Sequence, residues 1–156
     1  MNKIILIVTL LFQISFANAF ELQGFDGSKI DLEDKLGNDK WTLVMFWAHN
    51  CHVCIEETPT ISEFFNKRDD VDVIGISIDG EENKALAEKF LASTKPSFPT
   101  YLSSLLIVSS NYQILTEEDF RGTPTFLLFN PNGELLGNNP GALSIEALEK
   151  FIDRNS

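Results

Sequence analysis

Cysteine and histidine are the scarcest reactive residues in this chain, whose 156 residues include two of each. All four fall inside Trp47-Ala48-His49-Asn50-Cys51-His52-Val53-Cys54, so no Cys or His elsewhere can complete a closed metal site. Basic residues are few, with 12 Lys and Arg against 23 Asp and Glu. So acidic a chain is a poor partner for nucleic acid or an anionic lipid surface. The sequence contains no internal repeats, linkers or low-complexity segments. A c-type haem site is excluded as well, because Ile55 stands where that motif requires histidine.

The first 19 residues have a different character from the rest. Lys3 precedes an apolar run from Ile4 to Leu11 that continues weakly to Phe16, and Ala17-Asn18-Ala19 has the small-x-small form of a signal-peptidase site. Residues 1–19 therefore read as a cleaved secretory signal, and residues 20–156 as one domain. The alternative is an uncleaved membrane anchor, the one case in which the protein would contact a membrane. Gln13, Ser15 and Asn18 leave that stretch short of the roughly 20 residues a span requires. With no cysteine nearby, a lipoprotein anchor is excluded. Removing Lys3 leaves 11 basic against 23 acidic residues, a net charge of −12. A domain of about 137 residues buries a core without staples. Export places the protein in the periplasm or outside the cell, where a cysteine pair is either a structural disulfide or a working one.

Trp41-Thr42-Leu43-Val44-Met45-Phe46 is a nearly unbroken apolar run of the kind buried in a central strand, and the residues after Cys51 read as a helix. Cysteines three apart at a helix start lie on one face, close enough for a disulfide. Cys51 then occupies the helix N-terminus, where unpaired N–H groups and the positive end of the dipole favour an anion. Its pKa is expected below the roughly 8.5 of free cysteine, and a protonated His52 would lower it further. Cys51 is thus the expected nucleophile. Cys54, one turn in and deeper, is the expected resolving thiol.

Phe46-Trp47-Ala48-x-x-Cys51-x-x-Cys54, with Glu57-Thr58-Pro59 after it, resembles the TlpA/ResA branch of extracytoplasmic thioredoxin-like thiol-disulfide oxidoreductases. Gly122-Thr123-Pro124-Thr125-Phe126 strengthens the match, and the similarity runs from about Phe20 to the C-terminus. The resemblance implies a thioredoxin-like α/β fold, with a central mixed sheet flanked by helices on both faces and an N-terminal β-hairpin. It places Thr123 and Pro124 opposite the cysteines, with a cis proline and backbone groups offered to an extended substrate segment. It also links a glutamate at the position of Glu57 to tuning of the thiols. Thioredoxin itself carries a buried acid two residues before the Trp, where this chain has Met45. Glu57 is therefore expected to be the only internal proton acceptor near the pair.

Elements consistent with that fold can be read along the chain. Phe20 to Leu32 alternates around Asp26-Gly27 as a hairpin, followed by a polar connection to Lys40. On a helical wheel from Cys51 to Lys67, Glu57 shares the arc of Cys54, Ile61, Phe64 and Phe65 while Glu56 faces solvent, and Pro59 should kink the helix. Val71 to Asp79 reads as a strand, and Glu81 to Ala92 as a helix with Leu86 and Phe90 on its core face. Thr100 to Leu102 is a short strand, and Ser103 to Leu115 a helix capped by Ser103 or Ser104. Glu117-Glu118-Asp119 reads as an exposed loop. Thr125 to Phe129 and Glu134 to Gly137 form a hairpin around Asn130-Pro131-Asn132-Gly133, and Ser144 caps a final helix lined by Ile145, Leu148, Phe151 and Ile152.

The leading reading is a redox enzyme in which Cys51, Cys54 and Glu57 carry the chemistry, and Trp47, His52, Thr123 and Pro124 face the substrate. The resemblance implies a reductant of specific partners, such as apocytochrome c thiols during cytochrome c maturation. Its protein substrates carry thiols or disulfides, and a membrane or soluble redox partner recharges the pair. The local chemistry leaves an oxidant or isomerase role open. A second class is a carrier of Cu(I) or another metal using His49, Cys51, His52 and Cys54, against which the divergence of side chains entering a helix argues. A third is a binding domain with a merely structural disulfide, although so short a loop constrains the unfolded chain little. No resident cofactor or metal is expected. His49 is expected to be an exposed side chain without coupling to the cysteines.

Overall fold

A computed structural model describes residues 20–156, so the signal-peptide reading of residues 1–19 lies outside the described residues. Seven strands form one mixed sheet in the order β2-β1-β5-β4-β3-β6-β7. The strands are β1 (Glu21–Gln23), β2 (Lys29–Asp31), β3 (Trp41–Trp47), β4 (Val71–Ser77), β5 (Thr100–Leu102), β6 (Thr125–Phe129) and β7 (Leu135–Pro140). Four helices connect or follow them: α1 (His52–Lys67), α2 (Lys84–Thr94), α3 (Leu105–Thr116) and α4 (Ile145–Asn155). The order is that of a thioredoxin-like fold, with the expected N-terminal hairpin in place.

The central strand organises both cores. All seven residues of β3 are buried, and it pairs in parallel with β4 and antiparallel with β6. Alternate side chains therefore enter opposite layers. Trp41, Leu43, Met45 and Trp47 pack with Cys54, Ile61 and Phe64 of α1, Ala87 and Phe90 of α2, and Leu148 and Ile152 of α4. Val44 and Phe46 pack on the other face with Phe20, Leu22, Ile76, and Val108 and Tyr112 of α3. One helix thus covers one face and three cover the other. Among the described residues no helix is long and apolar enough to cross a membrane.

Local chemistry explains most boundaries. Ser104 caps α3 by accepting the Ile107 N–H, and Ser144 caps α4 by accepting the Ala147 N–H. Helix α1 runs through Pro59 without ending; the Thr58 hydroxyl donates to the Cys54 carbonyl at 2.7 Å beside the position where proline supplies no N–H. Two positions depart from the sequence reading. Leu86 faces outward while Ala87 and Phe90 fill the core side of α2, because the helix begins at Lys84 after a separate 3-10 turn over Glu81–Asn83. Phe151 lies on the rim of α4, part-exposed, with its ring edge-on to Trp41 at 6.3 Å.

Candidate active site

The site lies at the C-terminal ends of the parallel strands. β3 ends at Trp47, and a turn from Ala48 to Cys51, closed by the Cys51 N–H on the Ala48 carbonyl at 3.1 Å, leads into α1. Cys51 is the N-cap, and its Sγ accepts the Cys54 N–H at 3.2 Å. The two cysteines are disulfide-bonded, with Cα atoms 5.2 Å apart. Cys51 is 8% exposed and Cys54 fully buried, the difference in depth expected of an attacking and a resolving thiol. Val53 and Ile55 beside them are exposed.

Trp47 is buried beneath the turn, stacked on Phe90 with ring centroids 4.4 Å apart. Gly75 of β4 leaves the space for it. A Cβ there would come 3.1 Å from Trp47 Nε1 and 2.7 Å from Thr100 Cγ2. Thr123 and Pro124 share a cis peptide bond. Phe46 pairs with Thr125 in the antiparallel register of β3 and β6, so the two residues before Thr125 run beside Trp47 and Ala48, next to the start of α1. The loop is closed by the Thr125 hydroxyl on the Gly122 carbonyl at 2.6 Å, with Gly122 at φ 134°, a conformation that favours glycine.

Glu57 is half-buried on the predicted side of α1, and Glu56 is exposed. One Glu57 oxygen accepts the Leu143 N–H at 2.7 Å; the other is buried with no hydrogen-bond partner among the described residues. Burial pushes its carboxyl above the usual range, and the Leu143 N–H opposes this only in part. Leu143 lies in the segment after β7, whose Gly141 N–H donates to the Pro124 carbonyl at 2.8 Å. Glu57 and the proline loop are therefore tied to the same short segment.

The two histidines take different courses. His52 points to solvent, its side chain 83% exposed and 3.3 Å from Glu56. His49 does not have the free, exposed side chain expected for it. Its Nδ1 lies 2.6 Å from Asp79 Oδ1 and its N–H donates to Asp79 Oδ2 at 2.9 Å. Asp79 is buried just past β4, so Glu57 is not the only internal carboxylate beside the site. Asp79 is the residue that sequence reasoning missed. The available signal was a polar pair, Ser77 and Asp79, closing an apolar strand at the sheet end where α/β sites gather.

In the disulfide-bonded form the four candidate metal ligands do not converge. His49 turns to Asp79, His52 turns to solvent and the cysteines bond each other. Among the described residues no group of three or more His, Cys, Asp or Glu is placed to hold an ion.

Comparison with known proteins agrees with this geometry. The model of the AhpC/TSA family matches residues 15–136. Sporulation thiol-disulfide oxidoreductase A of Bacillus subtilis (strain 168) is 26% identical over 137 residues, covering 86% of this chain and 78% of its own. Thiol-disulfide oxidoreductase ResA of the same strain is 24% identical over 141 residues, covering 89% and 73%. The crystal structure of StoA from Bacillus subtilis superposes with a TM-score of 0.64 at 25% identity, covering 86% of this chain and 96% of that one. The chain belongs to the AhpC/TSA family, and its Cys51-x-x-Cys54 site sits on the thioredoxin-like fold of a thiol-disulfide oxidoreductase.

Proposed function

We propose that the protein acts outside the cytoplasm and reduces disulfides in specific protein partners, with apocytochrome c in cytochrome c maturation as one such class. The Cys51 thiolate attacks a partner disulfide, forming a Cys51–partner bond and releasing one partner sulfur as a thiolate that takes a proton from water. Cys54 then loses its proton and attacks Cys51 Sγ; the Cys51–Cys54 bond forms and the second partner thiolate leaves. Two electrons pass to the partner, and a separate dithiol donor, membrane-bound or soluble, must return two to the pair.

The observation that carries this reading is the placement of Cys51 Sγ at the head of α1, accepting the Cys54 N–H, with its buried partner one turn below. Glu57 is assigned as the proton carrier for the deeper thiol: its carboxyl is held above the usual range, and one oxygen has no competing donor. Trp47 supports the turn from beneath. Thr123 and Pro124 offer backbone to an extended segment, and exposed His52 meets the partner at the rim.

The test is disulfide reduction by the dithiothreitol-reduced protein, with a Cys54→Ser variant as a trap. The variant should accumulate a mixed disulfide through Cys51, and a Cys51→Ser variant should form none. No reduction by the wild type and no trapped species would end the assignment. A pair potential as high as that of strong oxidants, about −120 mV, would turn the direction from reductant to oxidant.

A further inference from the structure

Asp79 is 7% exposed and faces the turn that presents the nucleophile. Its carboxylate takes three donors. Oδ2 accepts the His49 N–H at 2.9 Å and the Ser77 hydroxyl at 2.6 Å, while Oδ1 meets His49 Nδ1 at 2.6 Å. A carboxylate only accepts, so Nδ1 carries the hydrogen in this contact, and the ring is fixed in orientation and tautomer. His49 is the second residue of the Ala48–Cys51 turn, two positions before the nucleophile. A buried carboxylate thus holds, through backbone and side chain, a residue two positions before the sulfur that must become an anion. Like charges oppose each other strongly in a desolvated setting. The side chain bonded to that carboxylate is the His49 imidazole. On α1, His52 and Glu56 meet each other in solvent, and Glu57 turns to the Leu143 N–H.

We propose that His49 is a positioning residue for the exchange reaction: held by Asp79, it engages the buried carboxylate so that the charge does not suppress the Cys51 thiolate, and the same contact fixes the turn. This deepens, and rests on, the assignment of Cys51 as nucleophile. A purely structural pair would behave differently, since removing its second member could only add damage.

The experiment uses four forms of the full chain in a Cys54→Ala background: unaltered, His49→Ala, His49→Asn, and His49→Ala combined with Asp79→Asn. The readouts are the thiolate absorbance of Cys51 at neutral pH and the thermal midpoint. His49→Ala should lower the thiolate fraction about tenfold, because Asp79 loses its ring donor while keeping its charge. His49→Asn places an N–H one bond from Cγ, where Nδ1 stands, and should restore the fraction to within about threefold. Adding Asp79→Asn to His49→Ala should restore it too, even if the midpoint falls. An unchanged thiolate fraction in His49→Ala, or a double variant no better than His49→Ala alone, overturns the proposal. If the Cys54→Ala parent with native His49 has no enriched thiolate and the wild type reduces no disulfide, it is the assignment of Cys51 itself that fails.

Discussion

Replacing Cys54 with alanine leaves Cys51 as a lone thiol at an intact helix start and allows its stabilisation to be sized. The backbone N–H of residue 54, 3.2 Å from Cys51 Sγ, survives the substitution. A hydrogen bond to a charged acceptor contributes about 1.5–3 kcal/mol, and the helix N-terminus adds roughly 0.3–1 kcal/mol. Burial works against the anion, since Cys51 is only 8% exposed. Taking the low end, about 2 kcal/mol, the thiolate-to-thiol ratio should rise roughly thirtyfold over that of the urea-unfolded chain at the same pH, and thiolate content rises by the same factor at a pH low enough to keep thiolate the minor form. Reactivity should rise less. A thiolate loses nucleophilicity as it is stabilised, with a Brønsted slope of about 0.4–0.5, so a thirtyfold enrichment loses roughly fivefold in intrinsic rate. The alkylation rate with iodoacetamide should therefore increase only about sixfold. Ultraviolet thiolate absorbance and alkylation, run side by side on folded and unfolded protein, separate the two effects. A thiolate content within twofold of the unfolded chain would refute the helix-terminus account, whatever the alkylation rate.

Glu57→Gln should slow exchange while making stability less sensitive to pH. The wild-type carboxyl is held above the usual range by burial, so the folded protein binds this proton more tightly than the unfolded chain and loses stability as pH rises through the raised value. Denaturant midpoints from about pH 4 to 7 should diverge in favour of the variant; parallel curves would show that the carboxyl is not desolvated. Gly75→Ala should cost about 1–3 kcal/mol by overpacking and should shift tryptophan fluorescence, since the new Cβ would press on the Trp47 indole. Phe90→Ala should cost about 3–5 kcal/mol in chemical denaturation, because it empties the space beneath that indole. Ser104→Ala should cost about 1 kcal/mol through loss of the α3 cap, with exchange kinetics unchanged.

Features governed by neighbours in sequence were legible from the sequence alone. The Cys51-x-x-Cys54 spacing, the apolar run of β3, the Asn130–Gly133 turn and the serine caps each carry their cause within a few residues, and each falls where the pattern puts it. Glu57 was also legible as to side, because a helical wheel fixes direction; its Leu143 partner, 86 residues away, was not. The same limit hid Asp79. It meets His49 across 30 residues only because β3 and β4 pair in parallel with Trp47 beside Ser77, which brings the two strand exits together. Leu86 was misplaced for a different reason. Periodicity identifies a face but not its phase, and the 3-10 turn ahead of α2 sets the phase so that small Ala87, rather than Leu86, meets the sheet.

Glu57 and Asp79 differ in how many donors reach them, and that difference suits them to separate roles in the proposed exchange. Glu57 has one backbone N–H for two oxygens and a buried lone oxygen, an arrangement that penalises the anion and favours a group that holds and hands over a proton. Asp79 has three donors on two oxygens, an arrangement suited to a permanent acceptor that fixes its neighbours in place. The proposed exchange asks for an anion at Cys51 and for the proton of buried Cys54 to leave, and the two kinds of group suit those two tasks. If the acceptor were mobile the turn would loosen; if the proton carrier were saturated with donors it would carry nothing. Met45, buried where thioredoxin has an acid under the pair, leaves that central position apolar. The two internal carboxyl groups of the proposed mechanism come instead from α1 and from the end of β4.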